Sequence, residues 1–149
     1  MTETRIQLRV VTPDKTLVDT PVEAVGAVGS EGAFTALPGH LPFLTDLQPG
    51  LLWYRLGGVT KDIAVSGGFI EVCPDRASVL ADSAEYLEHI DLERAQKALK
   101  RAEERLAQAR ADALAAGTGI GTRADITRAT ASFIRASTRI KLAARRINK

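Results

Sequence analysis

With one cysteine, one methionine, one tryptophan and two histidines in 149 residues, the chain is poor in reactive and metal-ligating side chains. Cys73 has no partner for an internal disulfide and sits in an alternating apolar stretch, so it reads as a buried structural thiol in a reducing compartment. His40 and His89 lie far apart, with no cysteine, histidine or carboxylate at ligand spacing, and no metal site is expected. No run approaches the ~18 consecutive apolar residues of a membrane span. Residues Met1 to Arg9 have neither a secretory apolar core nor a transit-peptide composition, so no leader is expected. The only phosphate-loop lookalike, Gly117-Thr-Gly-Ile-Gly-Thr-Arg123, lacks the lysine and follows a helical pattern instead of a strand; it reads as a flexible bend. No serine or cysteine stands in a nucleophile context. The chain reads as non-catalytic.

What is present divides at about residue 90. Residues 1–89 carry six basic and twelve acidic side chains, a balance of −6; residues 90–149 carry fourteen and six, a balance of +8. Halves of opposite sign attract each other, and each favours a different partner.

The first half alternates with period two between turn signals. Ile6, Leu8 and Val10 alternate with Arg5, Gln7 and Arg9 before the turn Thr12-Pro13-Asp14. Further strand runs are Val22–Val28, Leu51–Leu56, Lys61–Val65, Phe69–Cys73 and Ala77–Leu80. They are punctuated by Gly57-Gly58, Ser66-Gly67-Gly68 and Pro74-Asp75, the pattern of a small antiparallel β-sandwich. From Gly29 to Gly50 the alternation lapses into a Pro- and Gly-rich loop holding Phe34, Leu37, Leu41, Phe43 and Leu44, which reads as partial core or as an exposed docking edge.

The second half holds two matched stripes. Leu92, Ala95, Leu99, Ala102, Leu106, Ala109 and Ala113 step by three and four, as do Ile126, Ala129, Phe133, Ala136, Ile140, Ala143 and Ile147. Each stripe is one narrow face of an α-helix, and alanine at alternate positions lets two helix backbones approach closely. A Gly-rich link, Gly117 to Gly121, makes the arrangement an antiparallel hairpin. The fold class is thus β plus α, with a β-sandwich over 1–89 and a two-helix hairpin over 90–149. Asp91 stands as N-cap of the first helix, and Arg94 follows one turn later. On the second helix Arg128, Arg135 and Arg139 share one side, a grouping suited to a polyanion.

At Val10-Val-Thr-Pro-Asp14, Ser30-Glu-Gly32, Leu37-Pro-Gly-His40, Ala64-Val-Ser-Gly-Gly-Phe-Ile-Glu-Val72, Val79-Leu-Ala-Asp82 and Ile90-Asp-x-x-Arg-Ala95, the sequence resembles the ε-subunit family of F-type ATP synthase. The resemblance covers nearly the whole chain. It implies a β-sandwich docked on the γ shaft and the c-ring, and a regulatory hairpin that folds down or extends among the α/β catalytic subunits to block hydrolysis. It implies a peripheral position on the cytoplasmic face of the bacterial inner membrane, in a proton- or sodium-driven complex. No cofactor is required, but ATP is implied as a regulatory ligand of the folded hairpin. Its residues would be Glu85, Ile90, Asp91, Arg94 and Ala95 with Arg128, Arg135 and Arg139. The c-ring and γ contacts would be Glu31, Ala33, Phe34 and His40. The β-subunit contacts would be Arg128, Arg135, Arg139, Lys141, Arg145 and Arg146.

The chain departs from the family at Ala33-Phe34-Thr35, where Glu-Leu-Gly is usual, and in a longer hairpin link around Ala111–Thr122. A competing reading is a nucleic-acid-binding adaptor with a basic hairpin. Against it, residues 90–149 offer only Phe133 as an aromatic, and Phe133 belongs to the seam, so base stacking has no platform and nucleic acid is not expected as a partner.

Overall fold

Alternating burial builds the first half of the molecule. In β1 (Ile6–Val11) the side chains of Ile6, Leu8 and Val10 are fully buried while Gln7 and Arg9 face solvent. The same alternation runs through β6 (Gly50–Leu56), β8 (Gly68–Val72) and β9 (Arg76–Ala81). The computed structural model describes residues 4–117 and 120–147, and the chain divides into two units, Met1–His89 and Ile90–Lys149.

The first unit adds β2 (Thr16–Val22), β3 (Ala24–Gly29), β4 (Gly32–Ala36), β5 (Phe43–Leu47), β7 (Val59–Val65) and β10 (Ala84–Tyr86), then a 3₁₀ turn over Leu87–His89. The strands form one hydrogen-bonded ladder in the order β10-β7-β6-β3-β5-β8-β9-β1-β2, with β4 also paired to β3. The ladder folds over a single core containing Ile6, Leu8, Leu52, Ile63, Ile70 and Val79, which makes it the expected sandwich. One pair, β1 with β9, is parallel. These two strands are far apart in sequence, so no tight turn forces them antiparallel.

Several strands fall where the sequence shows none. The run Val22–Val28 is two strands broken at Glu23, whose carboxylate accepts the Gly57 and Gly58 amides at 2.8 and 3.4 Å. Those two glycines have φ of +59° and +75°, the left-handed pair that a two-residue hairpin between Leu56 and Val59 requires. β2 carries Pro21, tolerated because β2 ends the ladder. The supposed loop from Gly29 to Gly50 contains β4 and β5. Their hydrophobic residues fall on both faces: Ala36 and Leu47 are buried, whereas Leu44 is 69% exposed. A pattern without one-sided alternation hides a strand from sequence.

The second unit is a hairpin of α1 (Leu92–Ala116) and α2 (Ile120–Ile147). Residues 105–112 of α1 and 125–132 of α2 line one interhelical cleft beside the turn, as in an antiparallel pair; a register that sets Ala109 against Ala129 then sets Ala102 opposite Ala136 and Ala95 opposite Ala143. All six alanines are buried, while Leu92, Leu99, Leu106, Ile126, Phe133 and Ile140 are only half-buried. The helices therefore meet along their smallest side chains. Leu142, outside the stripe, is buried as well. The lengthening expected in the link around Ala111–Thr122 lies in the helices instead: α1 continues to Ala116 and α2 starts at Ile120. Alanine and leucine are strong helix formers, so the segment from Ala111 to Ala116 extends the helix up to Gly117, where φ turns to +69°. Of the expected Gly117–Gly121 link, residues 118 and 119 lie outside the described residues, as do the side chains of residues 120–122 and 147.

Within the sandwich, the hydroxyls of Tyr54 and Tyr86 are 2.9 Å apart, and Tyr54 is almost wholly buried. Burial first, then the bond to Tyr86, pushes the Tyr54 phenol well above its ordinary value. An unfolded tyrosine ionises near pH ~10. The phenol thus contributes stability that is complete below that pH and is lost as pH rises above it, because the unfolded chain gives up the proton first. Denaturant unfolding is expected to show stability falling above pH ~10, and Tyr54→Phe should flatten that slope. An unchanged slope would remove Tyr54 as its source.

Candidate functional site

The hairpin carries the residues singled out for ligand and partner binding. At its start Asp91 is extended (φ −81°, ψ 107°), and its Oδ1 accepts the Arg94 amide at 3.0 Å, while its carbonyl accepts the Ala95 amide at 2.9 Å. The N-cap is as the sequence predicts: it satisfies an amide that has no intrahelical partner and places a carboxylate at the positive end of the helix. Ile90 and Ala95 are buried, and the Arg94 side chain is exposed one turn beyond the cap. Glu93 pairs with Lys97 at 2.6 Å, an exposed i,i+4 pair worth a few tenths of a kcal/mol, ~0.3–0.5. Glu85 is half-buried in β10 of the other unit, paired with Ala64 of β7.

On α2 the three arginines occupy different levels. Arg128 stands beside the turn, 3.8 Å from Asp125, and lines a cleft of about 330 Å³ with Arg105, Gln108, Asp112 and Ser132. In the alanine register Arg128 is level with Arg110, sixteen residues along α1 from Arg94, or ~24 Å at the helical rise. Arg128 is thereby separated from the Asp91 box. Arg135 donates from Nη2 to Ser132 Oγ at 3.0 Å, and Arg139 is half-buried with polar contacts of its own. By the alanine register Arg139 lies level with Leu99, ~8 Å along the axis from Arg94, and Arg135 one helical turn further. The hairpin thus gathers Asp91, Arg94 and Arg139 towards one end. Lys141, Arg145 and Arg146 are exposed further along α2; at 3.6 residues per turn Arg146 shares the side of Arg128, Arg135 and Arg139, whereas Lys141 and Arg145 lie round the helix from it.

The second candidate region is the β3–β4 turn with the segment that follows it. Glu31 and Ala33 are exposed on either side of Gly32, whose φ of +121° closes the turn. Phe34 packs edge-on to Phe43 with ring centroids 4.9 Å apart, and His40 lies 5.6 Å from the same ring. His40 Nδ1 donates to the Leu41 carbonyl at 2.7 Å, which holds the imidazole against the loop. Leu37, Leu41 and Leu44 are exposed by 54, 80 and 69%, so the segment supplies both core, through the phenylalanines, and an exposed apolar edge.

Sequence reasoning missed three features. The Tyr54–Tyr86 pair was legible only as strand parity, since Tyr54 follows the buried Leu52 by two. Phe69 and Leu80, directly opposed across β8 and β9, are 54 and 61% exposed, an outward apolar pair that the strand runs alone do not single out. The cleft at the turn end, with Arg105, Gln108 and Asp112, had no sequence signature. Among the described residues no group of three metal-ligating side chains occurs, and no helix is long and apolar enough to cross a membrane.

A small β-sandwich continued by a capped, alanine-seamed hairpin defines a class of rotary-motor subunit. Residues 5–87 match the family of the ATP synthase delta/epsilon chain β-sandwich domain, and residues 88–144 match that of its long α-helix domain. The chain belongs to the ATP synthase delta/epsilon family, on the side of the F-type ε subunits. It is 44% identical over 140 residues to the ATP synthase epsilon chain of Nitratidesulfovibrio vulgaris strain DP4, covering 94% of this chain and 96% of that one. To the epsilon chain of Syntrophobacter fumaroxidans it is 41% identical over 139 residues, covering 93% and 96%. In fold it is similar to a chain of the Euglena gracilis mitochondrial ATP synthase OSCP/F1/c-ring structure, with a TM-score of 0.69 and 22% identity over all of this chain and 84% of that one. It is also similar to a chain of the Tetrahymena thermophila central stalk and c-ring, at 0.52 and 15%, over 93% and 99%. The nucleic-acid adaptor finds no support: these relatives are ATP synthase chains, and Phe133 is half-buried on the hairpin stripe.

Proposed function

We propose that this chain is a non-catalytic central-stalk subunit that couples the rotor to ATP synthesis and restrains ATP hydrolysis by extending its C-terminal hairpin. The observation that carries the reading is the seam. Its buried side chains are alanines, its larger residues are half-buried, and a seam so thin can be exchanged for another apolar partner at modest net cost. The pairs Lys97–Glu93 and Arg128–Asp125, and the bonds from Gln108 Nε2 to Asp112 Oδ1 and from Ser132 Oγ to the Arg128 carbonyl, each run within one helix, so opening the hairpin need not break them. The acidic sandwich is the rotor-docking part, with Glu31, Ala33, Phe34 and His40 toward the c-ring and γ. The basic face of α2, with Arg128, Arg135, Arg139, Lys141, Arg145 and Arg146, is the part that meets the β subunits. The site of action is the cytoplasmic face of the bacterial membrane. Deleting residues 123–149 is expected to leave assembly intact and to raise ATP hydrolysis by the complex severalfold; hydrolysis equal to wild type rejects the inhibitory role.

ATP is the regulatory ligand in this reading. A nucleotide that binds only the folded hairpin shifts the population by its difference in affinity for the two forms. Asp91, Arg94, Arg139 and, a turn away, Arg135 supply the charged groups, with Ile90, Ala95 and Glu85 adjoining in sequence. Arg128, at the turn end, serves the partner face instead. Arg94→Ala is expected to weaken ATP binding by the free subunit about tenfold or more, the usual scale for a guanidinium–phosphate contact. Equal affinities by calorimetry would reject the site.

A further inference from the structure

The extension proposed above needs a pivot, and the last strand of the sandwich is a poor place to anchor a lever. β10 has three residues, Ala84–Tyr86, and lies at the end of the ladder, paired only with β7 through Ala84–Val65, Glu85–Ala64 and Tyr86–Ile63. Three ladder positions at an edge are the first to fray when the chain beyond them is pulled.

Side chains reinforce this edge. Tyr86 reaches past Ile63, which is fully buried, to Tyr54 on β6, two strands in; the hydroxyls meet at 2.9 Å, and Tyr54 is 5% exposed. Leu87, the first residue of the 3₁₀ turn, is buried. Glu88 stands 4.0 Å from Lys61 Nζ of β7 and 3.9 Å from His89 Nε2, and the His89 ring meets Tyr86 edge-on at 5.7 Å. Beyond the turn, Ile90 and Asp91 belong to neither the turn nor α1, and Asp91 closes the helix with its own cap.

We propose that the Tyr54–Tyr86 pair, with Leu87 and the Lys61–Glu88 contact, is a strap that pins β10 and the 3₁₀ turn to the sheet and so confines the pivot of the hairpin to Ile90 and Asp91. The strap rests on the extendable-hairpin reading for its purpose, but not for its test. Its physical role is to place the free energy of peeling residues 84–88 above that of rotating about the two residues between the 3₁₀ turn and α1. Without it, the lever would lengthen backwards into the sandwich, and the hairpin would swing from an undefined origin.

The test is hydrogen exchange on the full chain, read amide by amide. Removing one hydroxyl removes one hydrogen bond, so Tyr86→Phe and Tyr54→Phe are each expected to speed exchange across residues 84–88 by about fivefold or more, the change that a typical net hydrogen bond carries. The amides of β1 and β9 should be unaffected. The double variant should be no faster than the quicker single one, because both act through one bond. Exchange at 84–88 unchanged in either variant overturns the strap. So does acceleration spread equally through β1 and β9, which would make the pair ordinary core, or additive effects in the double variant. The measurement needs neither partner subunits nor ATP. A failed strap thus leaves the hydrolysis test of the 123–149 deletion standing, and a failed deletion test leaves the strap standing.

Discussion

Gly68→Ala will destabilise the sandwich by about 3 kcal/mol or more, combining the strain of a left-handed backbone with the overpacking of a filled site. Gly68 has φ of +125°, and a Cβ there would overlap the Leu80 carbonyl oxygen and crowd Ala81 Cα. Both neighbours are backbone of β9, paired with Gly68 through Ala81, so neither can swing aside as a side chain could. For a unit of this size the loss corresponds to a fall in melting temperature of ~12 °C or more. Gly32→Ala is the control: its φ is +121°, but nothing lies within 4 Å of the added carbon, so only the backbone strain of ~1–2 kcal/mol should appear. Thermal unfolding of both variants checks the contrast. If Gly68→Ala melts no lower than Gly32→Ala, the close approach of β8 and β9 is not the reason for glycine there.

The second large effect concerns the seam. Ala136 is 3% exposed and lies level with the equally buried Ala102 in the alanine register of the seam. Ala136→Leu keeps helix propensity nearly unchanged but adds three carbons where two backbones meet, an overpacking of ~1–3 kcal/mol. The closed form should lose about five- to hundredfold in population relative to open forms, at ~1.4 kcal/mol per tenfold. Circular dichroism should show helix retained. Labels at the exposed positions 97 and 141, level with each other in the alanine register, should move apart. In the assembled complex the same substitution should deepen inhibition of hydrolysis, opposite in sign to deleting residues 123–149. Labels that stay close would show that the seam tolerates a larger side chain, and the thin-seam account of the switch would fall.

How far the sequence could be read depended on whether burial was one-sided. β1, β6, β8 and β9 announce themselves because within each strand the buried residues, such as Ile6 and Leu8, Leu52 and Tyr54, Ile70 and Val72, or Ala77 and Val79, fall at every second position. β4 and β5 do not, because Phe34, Phe43 and Leu44 place apolar groups on both faces. The hairpin was legible almost to the residue: its stripes, its N-cap Asp91 and its six buried alanines all follow from a helical period acting on a strict pattern. The candidate nucleotide residues were legible as types, not as a cluster. The spacing of Arg128, Arg135 and Arg139 puts them on one side of α2. Only the register between helices shows that Arg139 approaches the level of Arg94, while Arg128 stands ~24 Å away along the axis.

By itself, then, the sequence determined what depends on neighbours along the chain: strand parity, helix period, capping, the opposite charges of the two halves and the motifs that place it in its family. The tertiary structure decided what depends on pairing between distant segments. It made β1 and β9 parallel, turned Phe69 and Leu80 outward, joined Tyr54 to Tyr86 across two strands, and carried α1 to Ala116 and began α2 at Ile120, inside the segment expected to be a link. The physical reason is that period and cap energies act within one turn or one strand, whereas register, facing and close approach are set by which surfaces are left for each element once the others have packed.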